Sequence, residues 1–83
     1  MSMIFFTFRE YLAARKAVTT LKNLGISAKL ARTPAALAVN GCGYGLWVPG
    51  TQGRSASAEL KEAGIQYERI HSFDGKSYRE ITV

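Results

Sequence analysis

The chain is poor in the residues that build metal sites and cross-links: it has one cysteine, one histidine and one tryptophan among 83 residues. A single thiol excludes an internal disulfide, so the fold does not depend on oxidation. One cysteine and one histidine also fall short of the ligand set of a metal cluster within a single chain. With two prolines, no low-complexity run, no block of like charge and no Gly/Ser linker, nothing reads as a disordered segment or a domain boundary. The longest early apolar run, MIFF, is too short for a signal-peptide core or a membrane span. These absences lead to the expectation of one cytoplasmic domain over residues 1–83, with no cofactor, no metal and no membrane partner.

What is present is a modest excess of positive charge. Eleven Lys and Arg against six Asp and Glu give a net charge of +5. That balance permits attraction to nucleic acid or to an acidic protein. The cations, however, are spread from Arg9 to Arg79 rather than gathered in a stripe. A diffuse solvated surface is the simpler reading.

Periodicity divides the chain into short elements. MIFFTF reads as a strand, and Thr7 and Glu10 have the T-x-x-E spacing of a capping box. A helix is expected from about Phe8 to Leu24, with Tyr11, Ala14, Val18 and Leu21 along its apolar stripe. Gly25 stops it, and Ile26 opens a second strand, ISAKLA, with Ile26, Ala28 and Leu30 on one face. RTPAALAVNGCG is a loop in which Thr33 and Pro34 suit the start of a single helical turn. YGLWV is a third strand, PGTQG a connection, and RSASAELKEA a second helix with Ala56, Leu60 and Ala63 inward. QYERIHSF and SYREITV are two further strands joined through Asp74-Gly75, a favoured hairpin pair.

LKNLGI and LKEAGI are an internal echo, starting at Leu21 and Leu60. Each ends a helix that follows a strand. Two such halves predict an α+β domain, a ferredoxin-like split β-α-β sandwich (β-α-β-β-α-β) with an extra C-terminal strand. In that topology the loop after the second strand emerges where the first helix begins. Cys42, flanked by Gly41 and Gly43, then lies near free helix amides that carry partial positive charge. Thiolates are stabilised in such places. The two glycines could aim backbone N–H groups at the sulfur, Arg9 and Arg32 would add charge, and Thr33 and Pro34 would shape the loop.

The order of these pieces, an opening strand, LKNLGI, then TPAAL and GCGYGL, resembles a family of small bacterial domains, the Se/S carrier protein-like family. The resemblance covers roughly residues 3 to 70. It implies a cysteine that holds sulfur or selenium as a persulfide or selenosulfide, a role that maps onto Cys42 alone. It also implies sulfur or selenium donor and acceptor proteins as partners, and a carrier rather than a self-contained enzyme. In the family pattern a basic residue follows the T-P pair; here Ala35 stands in its place.

Other readings compete. Cys42 as a structural residue would leave a small interaction or dimerisation domain, because free cysteines are among the most buried residue types. Alternation sets Tyr44, Leu46 and Val48 on one face of the third strand and Trp47 on the other. Aromatic residues on central strands are how RNA-recognition domains stack bases, but the K/R-G-F/Y-G/A-F pattern is missing, so nucleic acid is disfavoured. Core packing on one face and a homodimer through the open face account better for them. His71, late in the fourth strand, is expected at the surface or edge and away from Cys42.

Overall fold

The first strand sets the architecture. The structure, a computed structural model, describes residues 2–38 and 43–82. Strand β1, Met3–Phe8, is buried almost throughout. Its even positions, Ile4, Phe6 and Phe8, belong to the core beneath the helices. Its odd positions, Met3, Phe5 and Thr7, therefore face the other way, because strand side chains alternate. A strand that is apolar on both sides belongs in the middle of a sheet. Accordingly β1 pairs antiparallel with β3, Tyr44–Pro49, on one side and with β4, Arg69–Phe73, on the other.

Strand β2, Lys29–Arg32, lies outside β3, and β5, Tyr78–Ile81, lies outside β4. The result is an α+β domain with a five-stranded antiparallel sheet in the order β2-β3-β1-β4-β5. The fifth strand takes this order beyond a plain four-strand split sandwich. Helices α1, Tyr11–Asn23, and α2, Gly53–Glu62, cover one face. Ala14, Ala17, Val18 and Leu21 of α1 pack with Ala56 and Leu60 of α2 onto Phe6, Leu46 and Val48. Gly53 lets α2 approach closely, because a Cβ there would stand 3.0 Å from Ile4 Cγ1.

The echoed segments end both helices in the same way. Gly25 and Gly64 have φ of +80° and +75°, the left-handed stop that glycine adopts without strain. Ile26 donates to Leu21 O at 2.9 Å, and Ile65 to Leu60 O at 2.9 Å. Both isoleucines are buried against the core.

Three expectations need correction. Thr7 does not cap α1: it stays in β1, where its hydroxyl accepts from Arg69 N at 3.0 Å. Pairing with β4 holds the strand to Thr7 and pairing with β3 holds it to Phe8, so α1 starts at Tyr11 with Glu10 as N-cap and no side-chain cap bond. Ala63 is exposed rather than inward, since α2 ends at Glu62; Ser57 takes an inward place and shares a 2.6 Å hydrogen bond with Tyr67 Oη. The hairpin is longer than the Asp74-Gly75 pair, running from Phe73 to its partner Tyr78. Asp74 Oδ1 accepts from Lys76 N at 2.8 Å and from Ser77 N at 2.9 Å, which fixes the turn from its first residue.

Candidate functional site

The connection between β2 and β3 leaves the sheet at a defined end. Phe8, Tyr44 and Arg32 form one cross-strand row. Beyond that row β1 runs into α1 on one strand, while the β2–β3 connection departs on the neighbouring pair. The ring of Tyr11, the first residue of α1, packs edge-on against Tyr44 with centroids 4.8 Å apart. The start of α1 and the mouth of the connection are therefore in contact.

The mouth is closed by Thr33 N donating to Gly43 O at 2.9 Å. Gly43 has φ of +155°, and a Cβ on it would stand 3.3 Å from Thr33 Oγ1. A side chain at this position would meet both a strained backbone and the threonine hydroxyl. Pro34 starts a single helical turn, its carbonyl accepting from Leu37 N at 2.8 Å and Ala38 N at 3.1 Å. Proline suits that place because it needs no donor of its own there. Ala35 and Ala36 are exposed on the turn, as is Leu12 of α1, at 72%. Cys42 and Gly41 lie outside the described residues.

The charges at this end divide between two sides of β1. Arg32, at the last position of β2, is exposed and contiguous with the loop. Arg9 pairs with Glu68 at 3.5 Å, and its side chain is 84% exposed. That contact draws it toward the α2–β4 connection, where Arg9, Lys16, Tyr67 and Glu68 line an open cleft of about 730 Å³. The cleft holds charge of both signs. An exposed pair of this kind contributes little to stability. Sequence spacing gave no sign of Glu68 as the partner of Arg9, because the two meet only when β4 pairs with β1.

His71 departs from expectation in its burial. It sits at the middle of β4, paired with Phe5 on one side and with Glu80 on the other, and it is 8% exposed. With β1 on one side and β5 on the other, the residue is neither at an edge nor at the surface. Its Nδ1 is buried and has no hydrogen-bond partner among the described residues. Burial lowers its pKa; Glu80 opposes that effect and Arg69 adds to it. Among the described residues no group of three or more His, Cys, Asp or Glu could hold a metal ion, and no helix is long and apolar enough to cross a membrane.

The described residues offer a hydrogen-bonded loop mouth set against a helix start that none of their side chains caps, with the exposed Arg32 beside it. Backbone amides at such a helix start favour negative charge. No curated protein and no solved structure matches the chain. A family model does match, and it covers the opening strand, both helices and the β2–β3 connection: over residues 3–72 the chain belongs to the family described as "Putative Se/S carrier protein-like".

Proposed function

We propose that the protein carries sulfur or selenium on Cys42. The observation that supports this most directly is the family match over residues 3–72, a span in which Cys42 is the only cysteine. The Cys42 thiolate would attack the outer sulfur of a donor persulfide. The donor S–S bond breaks, its electron pair leaves on the donor thiolate, and a new S–S bond forms on Cys42. No oxidant or reductant is consumed. The acceptor then attacks the outer sulfur in turn, and Cys42 returns to thiolate; with selenium the outer atom is Se and the balance is the same. A lone thiol suits a carrier, because a second cysteine in the chain would discharge it as an internal disulfide.

The described surroundings fit this reading. The helix start beside the loop mouth and the exposed Arg32 favour an anionic sulfur. Leu12, Ala35 and Ala36 offer exposed apolar surface at the same end for a donor or acceptor protein. The cytoplasm would keep the thiol reduced between transfers. We assign the fold to the ferredoxin-like split sandwich with β5 added, a reading supported by the sheet order β2-β3-β1-β4-β5 and by two helices on one face. A second copy on the open sheet face belongs among the partners.

The test is to expose the protein to a persulfide donor and weigh it intact. A gain of one sulfur atom on the wild type, absent in Cys42→Ser and reversed by a thiol acceptor, is the expected result. A wild type that gains nothing, or a Cys42→Ser variant that gains as much, overturns the reading.

A further inference from the structure

The sheet face away from the helices carries one cross-strand row from edge to edge: Lys29, Trp47, Phe5, His71, Glu80. Lys29 and Glu80 are exposed at its two ends, and Trp47 is partly exposed nearer the centre. Phe73 and Tyr78 extend the aromatic surface, stacked with centroids 4.4 Å apart. Charge stands at the margins of this face, Lys29 and Glu80 at its two edges and Arg69 at the start of β4, around an aromatic centre, which is the anatomy of a protein interface.

We infer that this face joins two copies of the chain, sheet against sheet, about a two-fold axis parallel to the strands. Turning the sheet over about that axis lays β2 of one copy over β5 of the other. The row then meets its own reverse, so each Lys29 faces Glu80 of the second copy. An axis running across the strands would set Lys29 over Lys29 and Glu80 over Glu80, which like-charge repulsion disfavours. Packed sheets stand about 10 Å apart, a gap that a lysine and a glutamate side chain bridge between them. Because the axis follows the strands, both copies present their β2–β3 connections at the same end of the dimer.

Nucleic acid is the poorer occupant. A base would need an open aromatic ring at the centre of the sheet, and Phe5 there is 0% exposed. The acidic Glu80 at the rim also opposes a phosphate backbone. The inference does not rest on the carrier reading, and Cys42 takes no part in its test.

The experiment is sedimentation of the full chain from about 1 μM to 1 mM, a range set by a small interface of modest affinity. The wild type is expected to dimerise within it. Lys29→Glu or Glu80→Lys alone should weaken the dimer about tenfold, since the two-fold puts each reversal into two contacts. Both residues are exposed, so the fold should survive, and unchanged circular dichroism checks it. The double variant, with both charges exchanged, should recover the wild-type association. A wild type that stays monomeric throughout overturns the inference. So does a double variant no stronger than the singles, or a monomer whose Trp47 fluorescence is quenched by single-stranded RNA.

Discussion

Phe5 and Phe6 are neighbours on one strand and both are fully buried, but for different reasons. Phe6 lies under two helices, and its ring meets Tyr67 edge-on with centroids 5.0 Å apart. Phe5 has no helix above it. The Trp47 ring stands 4.8 Å from it, and Gly45 leaves open the place where its ring lies. One face is a core of two layers; the other is an aromatic layer that covers its own centre. The second arrangement needs fewer residues, but it depends on one missing side chain and on rings that are themselves partly wet.

The contrast is broken most sharply by truncating the two rings. Phe6→Ala should cost about 4 kcal/mol and Phe5→Ala about 3 kcal/mol, since a site roofed by partly exposed rings collapses more readily than one held under helices. Urea melts of both variants measure the difference. A Phe5→Ala cost equal to or above that of Phe6→Ala would make the open face a core in its own right.

Filling the vacancy is the next test. At Gly45 a Cβ would fall against the Phe6 carbonyl oxygen and 2.6 Å from Phe5 Cζ. Gly45→Ala should cost about 2 kcal/mol through overpacking, with a change in the near-ultraviolet signal of Trp47. A variant as stable as the wild type would show that Phe5 does not need the gap.

Acidification is expected to have the smallest effect, and it acts on the open face through His71. Glu80 on β5 and Arg69 on β4 are the charged groups that bear on it. Its pKa is lowered on folding, so the unfolded chain takes up the proton more readily. Stability from this residue is therefore fully present above about pH 6.5 and falls as pH drops below that value. His71→Gln should flatten stability between pH 7 and 5 in urea melts. Asp74, also lowered, by backbone N–H groups of Ser77 and Lys76, acts only near and below its ordinary value of 3.8, outside the range from pH 7 to 5. A wild-type stability that stays flat or rises from pH 7 to 5 would refute the assignment.

Much of this was readable in the sequence where the cause is local. The twin glycine stops, the separation of Tyr44, Leu46 and Val48 from Trp47, and the turn at Pro34 all follow from spacing within a few residues. The errors arose where a distant strand outweighed a local signal. Thr7 and Glu10 have the spacing of a cap, but β3 and β4 both hold Thr7 in the ladder. The hairpin that sets β5 beside β4 is legible at Asp74-Gly75, but the burial of His71 is not, because it comes from Phe5 on β1 as well as from β5. The vacancy at Gly45 is invisible until Phe5 is seen to lie over it. At the candidate site, Arg32, Thr33, Pro34 and Gly43 come together at the loop mouth. Arg9 goes to Glu68, a contact made only by tertiary pairing.

The two edges of the sheet carry a further consequence. β2 and β5 are each four residues long, and each bears two charged side chains, Lys29 and Arg32 on one, Arg79 and Glu80 on the other. An exposed strand edge is a template for endless pairing between molecules, and short charged strands blunt it. The inner strand β4, which carries Ile70 and Phe73 beside Arg69, His71 and Ser72, would be an edge itself if β5 did not cover it. The terminal strand thus serves as a guard against fibril growth, letting a small domain with so aromatic a sheet remain dispersed when crowded.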